Sequence, residues 1–437
     1  MTISPVESRP PSDAASVSSV VALLLSFVII ASQPLPAQTY SFSVLYAFSG
    51  KPDGANPEAS LVLDSAGNLY GTTANGGANG PSTGDGTVFK LTRTGQESVL
   101  HSFCSASHCS DGAAPAAGLV RDPAGNLYGA TKSGGNPVSD GVVFKLTPTG
   151  VETVLYTFTG GKDGSAPLGP VIRDAAGHLY GTTYSANGHS PSGVAFEITS
   201  PGHETVLHTF GTAPDGAGPA AGLIEDSHGD LFGTTEEGGN NLEDQSADGT
   251  VFEIDSTRQE SVLYNFCTAD NANICADGKY PEAGLLMDAN GNLYGTTSGG
   301  GVNNDGVVFK LAPPESPSGF WTETVLYNFG SEHNAADGRQ PVAGLAMDRE
   351  GNLYGTTQLG GVGFGCCGVV FKLDPLGDYT VLYALTGGTD GATPSAGVIL
   401  DAAGNLYGAT RNAGNLSACS GAGCGTVFKL TLHKELP

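Results

Sequence analysis

One short pattern recurs seven times in this chain without an insertion inside it. Each copy opens with Asp-Gly, at Asp53, Asp111, Asp163, Asp215, Asp277, Asp337 and Asp390. A proline follows four residues later, at Pro57, Pro115, Pro167, Pro219, Pro281, Pro341 and Pro394. The pattern ends in Gly-Thr-Thr or Gly-Ala-Thr, whose glycines are Gly71, Gly129, Gly181, Gly233, Gly295, Gly355 and Gly408. The cores lie near 53–73, 111–131, 163–183, 215–235, 277–297, 337–357 and 390–410. Spacings between copies run from 52 to 62 residues, a period that signals a repeat architecture.

Within a copy the pattern is that of strands. Gly118–Asp122 and Asn126–Thr131 flank Pro123-Ala-Gly125, and Gly141–Thr147 and Glu152–Phe158 flank Pro148-Thr-Gly150. Both read as hairpins around Gly-bearing turns, rich in β-branched and aromatic residues. Each unit therefore holds four strands, here a, b, c and d. Four short antiparallel strands per unit predict a propeller blade, with a β-solenoid as the rival. The chain ends favour the propeller. An isolated d-type strand, Ser43–Phe48, comes first, and a c-type strand, Gly425–Leu430, comes last. Together they complete one blade, as a closed ring requires. The expected fold is all-β, a seven-bladed β-propeller over 38–437, closed by the N-terminal strand.

Composition agrees. Glycine makes up 66 of 437 residues, yet 39% are hydrophobic, which is too many for disorder. The net charge of −25 disfavours nucleic acid and anionic membranes as partners. Arg9 precedes an apolar run, Val20–Ala31, and then Pro34-Leu-Pro-Ala37, so residues 1–37 read as a signal peptide. After cleavage the expectation is a secreted or periplasmic monomer with no membrane insertion. Eight cysteines fall in close pairs. Cys104/Cys109, Cys267/Cys275 and Cys419/Cys424 are disulfide candidates, since no Cys-x-x-Cys metal spacing exists. Cys366 and Cys367 are adjacent and stay open between a vicinal disulfide and free thiols.

The units also resemble a known family. Gly67-Asn-Leu-Tyr-Gly-Thr-Thr73 and Gly86-Thr-Val-Phe-Lys-Leu91 are similar to the Gloeo/Verruco (GloVer) tandem repeat of exported bacterial proteins. The likeness covers essentially 40–431. It implies an extracellular location, often with a C-terminal anchoring segment, and no established activity. Here the sequence stops at Leu436-Pro437 without a hydrophobic tail, so secretion is expected over anchoring. The Gly-Leu-x-x-Asp-x-x-Gly-Asn-Leu-Tyr part is more weakly similar to NHL-type and lactonase-like propellers.

Loop lengths vary only between strands b and c and between d and the next a, apart from one insertion near Pro313–Trp321. Both variable classes emerge on one face, where recognition is expected. The seven Asp-Gly aspartates are the candidate binding residues there. Asp85, Asp140, Asp248 and Asp305 join them as candidate Ca²⁺ ligands. Because every copy carries the Asp-Gly aspartate, a turn role outweighs a ligand role. No cofactor is expected beyond that Ca²⁺ option. The nine histidines occupy different frame positions, and no nucleophile elbow, phosphate loop or zinc motif is present. Unrepeated Glu236, Glu237, Glu243 and Asp244 could build a site in one long loop. Trp321, the only tryptophan, could stack on a sugar, with edge packing as the alternative. The expected function is a non-catalytic binding scaffold for an extracellular glycan or protein. A metal-dependent lactonase or lyase is the alternative.

Overall fold

A computed structural model describes residues 39–80, 84–135, 139–211, 214–239, 248–267, 275–316, 319–363 and 365–433. The signal-peptide expectation, like Glu243 and Asp244, lies outside them.

Seven four-stranded antiparallel sheets follow one another along the chain, each with strands in the order a-b-c-d. Blade 2 illustrates the unit, with a at Val120–Arg121, b at Leu127–Thr131, c at Val142–Leu146 and d at Glu152–Thr157. Its middle strands pair Phe144 with Gly129 and Lys145 with Tyr128. The seventh blade takes its outer strand from the start of the chain. Thr39–Ala47 pairs antiparallel with Thr426–His433, from Thr39↔His433 to Ala47↔Thr426. The protein is a seven-bladed β-propeller.

Strand a is shorter than the sequence suggests, only two ladder residues per blade. The glycine-led half before it runs along the central axis, where neighbouring blades crowd. A Cβ on Gly397 would stand 2.4 Å from the Gly344 carbonyl oxygen. Glycine is needed there for close approach, not for a turn.

Three repeated contacts lock blade to blade. A phenylalanine after strand d packs edge-on against the strand-c phenylalanine of the next blade, as in Phe158–Phe196 at 5.2 Å. Phe48 does the same to Phe89 at 5.1 Å across the closure. The first threonine of Gly-Thr-Thr donates its Oγ1 to an alanine carbonyl of the next blade, for example Thr234 to Ala283 at 3.0 Å. Blades 2 and 7 carry Ala130 and Ala409 there and forgo that bond. Finally, the residue before each frame proline donates its N–H across the seam, as Ala114 does to Asp85 at 2.8 Å.

The Asp-x-x-Gly-Asn-Leu-Tyr motif also has one explanation. Asp348 Oδ1 accepts the N–H groups of Glu350 and Asn352, and Oδ2 accepts the Asn352 amide and the Tyr354 hydroxyl. One carboxylate thus closes the a–b turn and ties it to strand b. Burial opposes its charged form, but the Asn352 and Tyr354 bonds outweigh that and hold it below its ordinary value.

The structure joins Cys104 to Cys109, Cys267 to Cys275 and Cys419 to Cys424. Cys366 and Cys367 set their sulfur atoms against each other.

Candidate binding site at the channel mouth

The Asp-Gly aspartates turn inward. Asp337 accepts bonds from the Tyr327 hydroxyl, the Ser331 N–H and hydroxyl, and the Glu332 N–H. Asp53 accepts from Tyr46 and Ser49, Asp163 from Tyr156 and Thr159, and Asp390 from Tyr383 and Thr386. Asp111 accepts from Ser105 and Ala106, and Asp277 from Tyr264 and Cys267. Asp215 takes His208 Nε2 at 3.0 Å. Each carboxylate fastens a d–a loop to its own outer strand.

Histidines are less scattered than the sequence suggested. His101 and His208 share one frame position, replacing the strand-d tyrosine, and each meets the Asp-Gly aspartate, Asp111 and Asp215 respectively. The His208 imidazole takes the place of the tyrosine hydroxyl in the bond to its aspartate, which hides the equivalence from a residue-type comparison.

The four Ca²⁺ candidates are spread over four different seams. Asp85 lies beside the Cys104–Cys109 bridge, and Asp248 beside Cys267–Cys275. Asp140 neighbours Asp163; burial and then that charge raise its carboxyl above the ordinary value. Asp305 pairs with Arg339 Nη2 at 2.7 Å. Trp321 packs edge-on to Phe232, ring centroids 6.4 Å apart, beside the core of blade 5.

Another set of residues leaves strand b toward the variable face, and two of them, Ser298 and Arg411, touch channel-lining glutamates. The residue after strand b is Ala74, Lys132, Tyr184, Glu236, Ser298, Gln358 or Arg411. In all seven blades its N–H donates to the carbonyl of the residue before the frame proline, at 3.0 to 3.1 Å. Those acceptors, Asn56, Ala114, Ala166, Gly218, Tyr280, Gln340 and Thr393, all hold left-handed φ between 51° and 63°. Six of the seven are not glycine, so the strain is architectural, held by a bond on each side. The backbone here is repeated seven times while the side chains differ in every blade. Only Glu236 was singled out by sequence. Aligning the copies on Gly-Thr-Thr and reading one residue further would have found the rest.

Residues one past the frame proline line the channel itself. Five are Ala116, Leu168, Ala220, Val342 and Ser395, and two are acidic, Glu58 and Glu282. Arg411 Nε meets Glu58 Oε1 at 2.8 Å. Ser298 donates its hydroxyl to Glu282 Oε1 at 2.6 Å. Glu236 and Glu282 hold the same two frame positions as Arg411 and Glu58; burial first, then the Glu282 charge, raises the Glu236 carboxyl above the ordinary value. The mouth is thus chemically asymmetric on a symmetric frame.

The opposite face departs from its repeat in two blades. Strand c holds lysine in five blades, with Lys90 5.7 Å from the Tyr70 ring. Blades 3 and 4 substitute Glu197 and Glu253. Glu197 is buried and meets Arg258 Nη2 at 2.7 Å. Arg258 itself sits at φ 68° in a turn that holds glycine in four other blades, at Gly95, Gly150, Gly202 and Gly377.

Fold and mouth together define a repeat propeller with a single differentiated rim. The chain belongs to the Gloeobacter/Verrucomicrobia repeat family, which matches residues 34–160, 78–277 and 268–436. No curated protein matches the sequence. Among solved structures, a candidate 6-phosphogluconolactonase of Bacteroides uniformis is 16% identical, with 77% of this chain and 86% of that one covered and a TM-score of 0.47. The luciferin-regenerating enzyme is 12% identical, covering 90% and 95%, with a TM-score of 0.43. PorZ, a surface component of the type-IX secretion system of Porphyromonas gingivalis, is 14% identical, covering 88% and 47%, with a TM-score of 0.48. No activity is transferred from them. Among the described residues no helix is long and apolar enough to cross a membrane.

Proposed function

We propose that this protein is an exported binding propeller that holds an extracellular glycan or protein at its channel mouth without catalysing a reaction. One observation carries the reading: seven identical backbone sites present seven different side chains on the face where loop length also varies. A scaffold kept constant while one ring of side chains diversifies is the arrangement of a recognition surface. Disulfides within the loops of that face suit an oxidising compartment.

The test compares the protein with a triple variant, Lys132→Ala, Tyr184→Ala and Gln358→Ala, on glycan arrays and against defined cell-surface proteins. The reading expects retention of at least one ligand by the parent and its loss in the variant. Equal retention by both would place recognition elsewhere. No retention by either would remove the reading.

A further inference from the structure

Behind the mouth, the channel holds an open space of about 650 Å³, within the range of small-molecule sites. Its wall is small and apolar, as at Ala221, Ala283, Ala343, Ala396 and Val398. Two carboxylates interrupt that wall, at equivalent positions in blades 1 and 5. Glu58 is answered by Arg411 at 2.8 Å. Glu282 is answered by a neutral group, the Ser298 hydroxyl. Glu236 adds a second acidic group, at the frame position from which Arg411 reaches Glu58. Among the described residues, no Lys, Arg or His lies within ion-pair distance of Glu282 or Glu236. Lys132 is exposed one blade beyond Tyr184, and Lys279 is engaged over the Tyr280 ring at 5.4 Å. Burial raises both carboxyls above their ordinary value, and the Glu282 charge adds to the rise at Glu236. An incoming ammonium would supply the missing charge and replace hydroxyl contacts with charge-assisted bonds.

We infer that the channel takes a small organic cation, its ammonium group held between Glu282 and Glu236 and its apolar body inside the alanine-lined cavity. The inference rests on the mouth being the binding site and names the chemistry of its ligand. An apolar body suits the wall, and a positive head suits two carboxylates that have no ion-pair partner among the described residues. A neutral or anionic head would leave Glu282 and Glu236 facing each other.

The probes are n-hexylammonium, 1-hexanol and hexanoate, titrated into the full chain by calorimetry. Hexylammonium should bind at least about tenfold more tightly than hexanol, and hexanoate more weakly than either. Glu282→Gln should reduce hexylammonium to the level of hexanol while leaving hexanol unchanged. Glu236→Gln should give a smaller loss in the same direction. Asp226→Asn, on the opposite face, should change nothing, which separates a site from general attraction to an acidic protein. Equal affinity for hexanol and hexylammonium would overturn the cationic head, as would a Glu282→Gln protein that binds the amine normally. If no probe binds but the triple mouth variant still loses a glycan or protein ligand, the cation is wrong and the mouth stands. If that variant also behaves as the parent, both readings fall.

Discussion

Asn56 donates its backbone N–H to the carbonyl oxygen of Cys424 at 2.8 Å, across 368 residues of sequence. The same bond joins every other pair of neighbouring blades, as from Tyr280 to Asp248 at 2.8 Å. The seam where the chain closes is therefore built like the six that are covalently continuous.

The equivalence is measurable. Phe48 and Phe158 are both buried to within 1% of full coverage, one at the closure and one inside the ring. Phe48→Ala and Phe158→Ala should each cost about 3–5 kcal/mol by denaturant unfolding. A Phe48→Ala protein that unfolds like the parent would show that the N-terminal strand does not carry closure.

Stability should also depend on pH through a second repeated feature. Glu97, Glu152, Glu204, Glu260 and Glu323 stand at the first or second position of strand d in the first five blades, and each buries Oε1 without a protein partner. Burial, then the charge of the Asp-Gly aspartate across the seam, pushes Glu97, Glu152, Glu204 and Glu323 up to about 7. The folded state then keeps protons that the unfolded chain releases near 4.5. The stability these groups contribute is complete below about pH 4.5 and is lost as pH rises through about 7. Thermal midpoints should fall between pH 5 and 8, and Glu→Gln at all four positions should flatten that slope. A parent whose midpoint does not move over this range would refute the arrangement. Asp64, Asp122, Asp288, Asp348 and Asp401 act in the opposite sense. Their turn bonds hold them low, so their contribution is lost on acidification below about 3.8.

Blade number and strand order were legible because they depend on residues that must recur: turn aspartates, frame prolines, and glycines that let strands approach. Asp348 with Asn352 and Tyr354 shows why; the aspartate recurs in every copy, and both partners recur at those spacings in five of the seven. The mouth was less legible for the converse reason. Lys132, Tyr184 and Gln358 share a backbone site but no chemistry, so nothing in their identity marks them as equivalent. Left-handed φ at Ala114 or Thr393 is likewise silent in sequence, because it is imposed by bonds to other blades rather than by the residue.

The seam threonines give a smaller effect. Thr234→Ala should cost about 1 kcal/mol, since the Ala283 carbonyl loses its donor. Two blades already carry alanine at this position, so the fold should persist. A loss several times larger, read by denaturant titration, would mean the threonine does more than bridge.

Restoring the repeat should fail at one place. Lysine is the commonest strand-c residue at the position of Glu197, yet Glu197→Lys would set a buried cation beside Arg258. We expect a loss of about 1–3 kcal/mol, recovered in part by adding Arg258→Gly, which also relieves a left-handed arginine. If Glu197→Lys alone is stabilising, the Glu197–Arg258 pair is dispensable.

The completed seventh blade also fixes how the molecule responds to tension. Thr39 lies opposite His433 and Ala47 opposite Thr426, so both ends of the ring leave the outer sheet at the same corner. A pull applied to those ends loads the hydrogen bonds one at a time, from Thr39–His433 inward, as a zipper opens. Shear across all of them at once would need the ends at opposite corners. Held by one end, the ring feels no such load; stretched between two attachments, it would open first at this edge.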